Sequence, residues 1–122
     1  MVCVSSQICM ERDAQLHLVP GSSQKMLDKT RGLNADCVAY DLEDSVTPGR
    51  KAEARSNIRR FLEQPRIPGV KECAVRINAV GSSYAADDIL EVVRLFRGSL
   101  WSRQLIEHRP THLIWIQSLF QK

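Results

Sequence analysis

Three features of this 122-residue sequence predict an α/β fold built on a parallel sheet. Short apolar runs alternate three times with longer helical patterns between residues 14 and 96. The run Cys37 to Leu42 (CVAYDL) is almost continuously apolar, as expected of a parallel strand covered on both faces. Each run then ends in a turn marked by Pro, Gly, Asp or Ser. Such alternation implies right-handed crossovers, so a doubly wound sheet and the opening units of an eight-unit barrel both fit.

The elements follow in order. Leu16 to Val19 is the first strand, closed by Pro20 and Gly21, which stop a ladder and turn the chain. Ser22 or Ser23 then caps a helix over Gln24 to Leu33, with Met26, Leu27 and Leu33 as its apolar contacts and Gly32 marking its end. Cys37 to Leu42 is the second strand, and the acidic turn DSVTPG follows it. Arg50 to Gln64 is a helix in which Ala54, Ile58, Phe61 and Leu62 recur at helical spacing, with Arg50, Lys51, Glu53, Arg55, Arg59 and Arg60 mostly on the other side. Pro65, Pro68 and Gly69 end it. Glu72 to Asn78 (ECAVRIN) is the third strand, and Gly81 to Tyr84 leads into a helix from Ala86 to Phe96 whose buried stripe is Ile89, Leu90, Val93 and Phe96. Asp87 and Asp88 suit the N-terminal end of its dipole. Leu113 to Ile116 (LIWI) reads as a fourth strand or a short helix within an otherwise irregular tail.

Composition bounds the function. With 43% hydrophobic and 25% charged residues the chain is an ordinary globular domain, and charged residues interrupt every apolar stretch before the roughly 18 residues of a membrane span. The net charge of +3 is confined to the tail: residues 1–96 hold 13 basic and 13 acidic residues, whereas Arg97, Arg103, Arg109 and Lys122 face only Glu107 after that point. Trp101 and Trp115 share that segment, so the sequence divides into 14–96 and 97–122. Four basic residues over such a length are too sparse for a nucleic-acid surface. Cys3, Cys9, Cys37 and Cys73 form no C-x-x-C pair, which argues against structural zinc; their even number allows two disulfides, yet Cys37, in an apolar run, reads as a free thiol acting as a small core hydrophobe. The expectation is a reduced, intracellular protein without a legible targeting segment. No G-x-G-x-x-G or Walker motif follows a strand, so nucleotide binding loses its usual support.

In parallel α/β folds chemistry gathers at the carboxyl ends of strands. Three such ends stand out. Val19 to Ser23 (VPGSS) offers backbone N–H groups to an anion, or simply a tight turn and a helix cap. In DLED, alternation places Asp41 and Glu43 on one face and Val38, Tyr40 and Leu42 on the other, with Asp44 following. These carboxylates could meet Mg²⁺, act as a base, hold a basic partner or form an acidic surface loop. Ala74, Arg76 and Asn78 share a face of the third strand, which brings Arg76 beside Glu43 or Asp44 if the two strands are neighbours. Arg76 is then a structural ion-pair partner, a clamp for a substrate carboxylate, or both. His17 is expected to point outward or be satisfied in the core, and Pro110 separates His108 from His112, so no histidine receives a role.

The segments LVPGSS, NADCVAYDLEDSVTPGRKAEAR and VRIN resemble the citrate lyase beta subunit-like family of the HpcH/HpaI aldolase superfamily, especially its citramalyl-CoA lyase-like branch. The resemblance covers about residues 14 to 95 and implies the N-terminal part of a TIM-like (β/α)₈ barrel, about three βα units, followed by an irregular C-terminal tail. It implies a Mg²⁺-dependent carbon–carbon lyase acting on a 3-hydroxy-acyl-CoA acid, passing through the enolate of a thioester, with an acyl-CoA or a small 2-oxo or hydroxy acid as its substrate. Position by position it makes Arg76 the substrate-carboxylate arginine, makes Glu43 and Asp44, with Asp41, its support and that of the metal's water shell, and places Pro20 and Gly21 in a loop at the barrel mouth. Arg55, in KAEAR, fits the pattern as a packing or pairing residue. The family's direct metal ligands and later catalytic acid lie on strands for which this sequence has no counterpart after Phe96. A full barrel takes roughly 250 residues, so the alternative expectation is a truncated, catalytically incomplete fragment that at most binds partners through open sheet edges. Homo-oligomerisation would close those edges. The resemblance further implies a mitochondrial location in a eukaryote, or a cytoplasmic one in a bacterium.

Overall fold

The computed structural model describes residues 16–65, 67–98, 106–108 and 113–116. Its elements run β1 (Leu16–Pro20), α1 (Gln24–Lys29), β2 (Ala35–Asp41), α2 (Lys51–Leu62), β3 (Val70–Arg76), α3 (Ala85–Gly98), β4 (Ile106–His108) and β5 (Leu113–Ile116). Single 3₁₀ turns at Thr30–Gly32 and Pro48–Arg50 follow α1 and precede α2. The five strands form one sheet in the order β1-β2-β3-β5-β4. β1, β2 and β3 are mutually parallel, as the alternation predicts. Ser23 is the N-cap of α1, accepting from the Met26 N–H at 3.4 Å.

The tail read as irregular contains two strands. β5 pairs antiparallel with β3, matching Arg76 to Leu113 and Cys73 to Ile116, and β4 pairs antiparallel with β5. The physical reason is local. A central strand leaves N–H and C=O groups on its second edge, and the run LIWI has the β-branched and aromatic character that pairs there. The division drawn after residue 96 falls within α3, which continues to Gly98. Among the described residues the sheet is open, and no helix is long and apolar enough to cross a membrane.

The two sheet faces have different fillings. Val38, Tyr40, Leu42, Val75 and Ile77 face the helices and pack with Ala54, Ile58, Phe61 and Leu62 of α2 and with Val92 of α3. Tyr40 meets Phe61 with ring centroids 5.5 Å apart, within the range of favourable tilted aromatic pairs. The opposite face carries a small buried cluster, Cys37, Ala39 and Ala74. Cys37 thus lies outside the helix-packed core, and it is disulfide-bonded, which corrects the free-thiol reading. The error came from treating CVAYDL as one apolar surface, whereas alternation sends Cys37 to the face opposite Val38.

Three further expectations about packing are corrected. Met26 is 43% exposed, because Leu27 is the residue of α1 that turns onto the core. Lys51 was placed on the polar side of α2 but is buried, its ammonium drawn to backbone carbonyls. In α3 the inward stripe is Ala85, Asp88, Ile89 and Val92, and Leu90 is 55% exposed. The side chains of Val93 and Phe96 lie outside the described residues. Asp88 sets the rotation: it is fully buried, bonded to Arg55 and Asn78, and a carboxylate so held fixes which helix face points inward.

Gly21 closes the β1–α1 turn, and α2 packs directly on it. A Cβ there would lie 2.5 Å from Ile58 Cδ1 and 3.0 Å from the Asp41 carbonyl. Gly21→Ala should destabilise the chain by about 1–3 kcal/mol through overpacking. Ile58→Val in the same background removes the clashing methyl and should recover part of that loss, as read by urea unfolding. Strictly additive losses would show that the clash is relieved elsewhere.

Candidate functional site

The parallel register brings Pro20, Asp41 and Arg76 into one cross-strand row at the carboxyl ends of β1, β2 and β3. All of the residues singled out at these strand ends therefore open onto the same end of the sheet. Asp41 and Arg76 are direct partners and project from the face that also bears Cys37, Ala39 and Ala74.

The sequence pairs Arg76 with Glu43 or Asp44, and the structure gives first place to Asp41. Arg76 Nε donates to Asp41 Oδ1 at 2.8 Å and Nη2 donates to Oδ2 at 2.8 Å, a bidentate fork. Glu43 stands 3.4 Å from Nε, and Asp44, which is largely exposed, stands 3.8 Å from Nη1. Asp41 wins because it is fully buried, and a buried carboxylate without a partner is far costlier than an exposed one. Asp41 also accepts from the Glu43 N–H at 2.9 Å, the Ser45 N–H at 3.0 Å and the Ser45 hydroxyl, so one carboxylate folds the loop that follows β2.

These contacts set its acidity. Burial raises the Asp41 pKa, but the Arg76 fork, the Ser45 hydroxyl and the two backbone N–H groups outweigh it and bring the value down to about 2. Arg76 responds in the opposite direction, raised chiefly by its bond to Asp41. Nη1 lies on the side toward Asp44, and 22% of the Arg76 side chain is exposed.

A further set of contacts, which hydrophobic periodicity alone does not reveal, holds the strand ends together. Asn78 was expected to share the face of Arg76, yet β3 ends at Arg76 and the Asn78 amide turns inward, donating to the Leu42 carbonyl at 2.9 Å and to Asp88 at 2.6 Å. Arg55 Nε donates to Asp88 at 2.6 Å, so the pairing option for Arg55 holds. Lys51 Nζ donates to the carbonyls of Leu42 and Glu43. Asn57 Nδ2 reaches the Gly21 carbonyl at 3.2 Å, and the Gly21 N–H reaches that of Asp41 at 2.9 Å, which fixes the Pro20–Gly21 loop beside the pair. The signal that could have located Lys51 and Asp88 is their spacing: Lys51, Arg55 and Ile58 share one helical stripe, as do Ala85, Asp88 and Val92. His17 is exposed, and the side chain of His108 lies outside the described residues, as do both tryptophan side chains.

The family profile of HpcH/HpaI aldolase/citrate lyase matches residues 15–98. The chain is 39% identical over 71 residues to a human protein named citramalyl-CoA lyase, mitochondrial, covering 58% of this chain and 21% of that protein. It is 37% identical over 71 residues to a (3S)-malyl-CoA thioesterase of Cereibacter sphaeroides, covering 58% and 25%. With citrate lyase subunit beta of Escherichia coli the identity is 36% over 76 residues, covering 62% and 25%. The matched part thus spans between a fifth and a quarter of the length of these curated relatives.

The depressed pKa of Asp41 makes a signed prediction. The stability contributed by its ionised form is fully present above the unfolded-state value near 4 and is lost as the pH falls through about 2. With allowance for screening at the half-open guanidinium, the loss over that window should be roughly 1–2 kcal/mol. Asp41→Asn should flatten this dependence while costing about 3 kcal/mol at pH 7, because the Arg76 fork loses its buried carboxylate and keeps only the more exposed Glu43 and Asp44 nearby. Urea unfolding of both forms at pH 7 and across pH 4 to 2 checks it, and an equally steep acid loss in Asp41→Asn would assign the effect to other carboxylates.

Proposed function

The chain belongs to the HpcH/HpaI aldolase/citrate lyase family, and from that membership and the geometry of Arg76 we propose that it forms the carboxylate-gripping corner of a carbon–carbon lyase acting on a 3-hydroxy-acyl-CoA acid of the citramalyl-CoA or malyl-CoA type. One observation carries the reading. Arg76 is held along its Nε and Nη2 edge by a buried carboxylate, and its Nη1 edge faces the loop cluster. A guanidinium anchored in this way keeps planar donors for a second carboxylate and has little rotamer freedom left to lose on binding.

The chemistry follows from the substrate class. In cleavage of a 3-hydroxy-acyl-CoA acid a base takes the hydroxyl proton and the oxygen closes to a carbonyl. The electron pair of the bond between the hydroxyl-bearing carbon and the carbon next to the thioester leaves with the latter, giving a 2-oxo acid and a thioester enolate that is then protonated. Arg76 binds the carboxylate on the hydroxyl-bearing carbon and keeps that carbon fixed as its geometry changes. Asp41 and Glu43 orient Arg76. Asp41 takes no proton in this scheme, since a group with a pKa of about 2 is a poor base at neutral pH.

The Mg²⁺ implied by the family resemblance finds no ligand set among the described residues. No group of three His, Cys, Asp or Glu side chains converges there, and both oxygens of Asp41 already accept hydrogen bonds. Mg²⁺ therefore stays in the proposal as a cofactor for which the described residues assemble no set of three ligands, and no step is routed through it. The name of the human relative extends the proposal to a mitochondrial location in a eukaryotic host.

Calorimetric titration of the chain with citramalyl-CoA and with free CoA tests the reading. Arg76→Lys, which keeps the charge and loses the fork, should weaken citramalyl-CoA binding about tenfold, and Arg76→Ala about 10–100-fold, with free CoA changed less than about twofold in both. An equal loss for both ligands, or no binding of citramalyl-CoA by the unaltered chain, overturns the proposal.

A further inference from the structure

Lys51 occupies the first turn of α2, where a lysine would ordinarily extend into water. Instead its side chain is 6% exposed, and among the described residues its ammonium makes no ion pair with a carboxylate. Burial of an ammonium is costly unless every donor is used. Three neutral partners meet this one: the Leu42 carbonyl at 2.9 Å, the Glu43 carbonyl at 3.0 Å and the Tyr84 ring, whose centroid is 5.1 Å away. An ammonium can hold two successive carbonyls and face an aromatic ring at once, whereas a methyl or thioether of the same length can hold neither carbonyl.

Those two carbonyls belong to the turn that carries the acidic groups around Arg76. The Leu42 carbonyl also accepts from Asn78 Nδ2 at 2.9 Å, and the Leu42 N–H donates to the Arg76 carbonyl at 2.9 Å. The backbone between Asp41 and Asp44 is therefore tied from α2, from β3 and from the residue two positions past β3. Glu43, whose carbonyl Lys51 holds, presents its carboxylate 3.4 Å from Arg76 Nε.

From this geometry we infer that Lys51 is a positioning residue for the Arg76 site: by fixing the carbonyls of Leu42 and Glu43 it aims the Glu43 carboxylate at Arg76 and sets the direction of the guanidinium. The consequence for substrate rests on the carboxylate-binding role of Arg76 proposed above. The consequence for the orientation of Arg76 does not. Lys51 itself touches no reacting atom in this scheme.

The test uses the whole chain labelled with ¹⁵N. The Arg76 Nε–H resonance, assigned by its disappearance in Arg76→Lys, is followed in the unaltered chain, Lys51→Met and Lys51→Arg, alongside titration with citramalyl-CoA and free CoA. Lys51→Met should shift this resonance, speed its exchange with water about tenfold and weaken citramalyl-CoA binding by about the same factor, with CoA affinity unchanged. Lys51→Arg, which again offers donors to both carbonyls, should restore the resonance and most of the affinity. A folded Lys51→Met with an unmoved Arg76 resonance and unchanged exchange overturns the inference, whatever its affinity. Should Lys51→Met not fold, Lys51→Gln keeps one amide donor group, and an unmoved resonance in that variant is equally fatal. Failure of the unaltered chain to bind citramalyl-CoA sinks the carboxylate reading alone, and the resonance still decides the role of Lys51.

Discussion

A fully buried carboxylate at the end of an apolar strand dictates the rest of this structure. Asp41 lies where an ionised group is tolerated only if its oxygens are saturated with donors, and β3 delivers the Arg76 fork to it in register. The pair also fixes that register. A one-residue slip of β3 against β2 would move its side chains to the opposite sheet face and leave Asp41 without its counter-charge. One ionic contact thus specifies strand pairing, loop conformation and the orientation of the arginine.

The division of the sheet into unlike faces makes room for that contact. Large aliphatic and aromatic side chains meet α2 and α3 on one side, where area burial supplies the bulk of the stabilisation. The other side is lined by Cys37, Ala39 and Ala74, whose small volumes leave Asp41 and Arg76 as its largest described groups toward the strand ends. Alternation does this with no extra device. The same strand that builds the core with Val38, Tyr40 and Leu42 builds the site with Asp41.

Charged groups on the helices connect the two sides. Arg55 and Lys51 of α2 both turn inward at the end nearest the strand ends, one to Asp88 and the other to the loop carbonyls. Asn78 bridges them by donating to the Leu42 carbonyl and to Asp88. The network is more than a set of exposed ion pairs, which contribute little, because Asp88, Lys51 and Asn78 are buried and each would lose partners if another moved. It transmits the rotation of α3 and the seat of α2 to the backbone that surrounds Arg76. That is why a helix whose pattern suggests Leu90 as a core residue instead buries Asp88.

The sequence by itself determined the alternating strand and helix order, the parallel pairing of the first three strands, the strand ends at which polar groups gather, and the family. Each follows from information local to the chain: period-two and period-3.6 patterning, turn residues, and a contiguous motif from Asn34 to Arg55. Tertiary structure alone decided that Asp41, and not Glu43 or Asp44, takes the Arg76 fork, that Lys51 and Asp88 turn inward, and that LIWI pairs with β3. The bonds of Arg55 to Asp88 and of Arg76 to Asp41 join residues 33 and 35 apart in the chain. Every one of these outcomes depends on which donors and acceptors meet in space and on how deeply each is removed from water. Desolvation converts a list of equivalent carboxylates into a ranked one, and a sequence records the carboxylates without recording their burial.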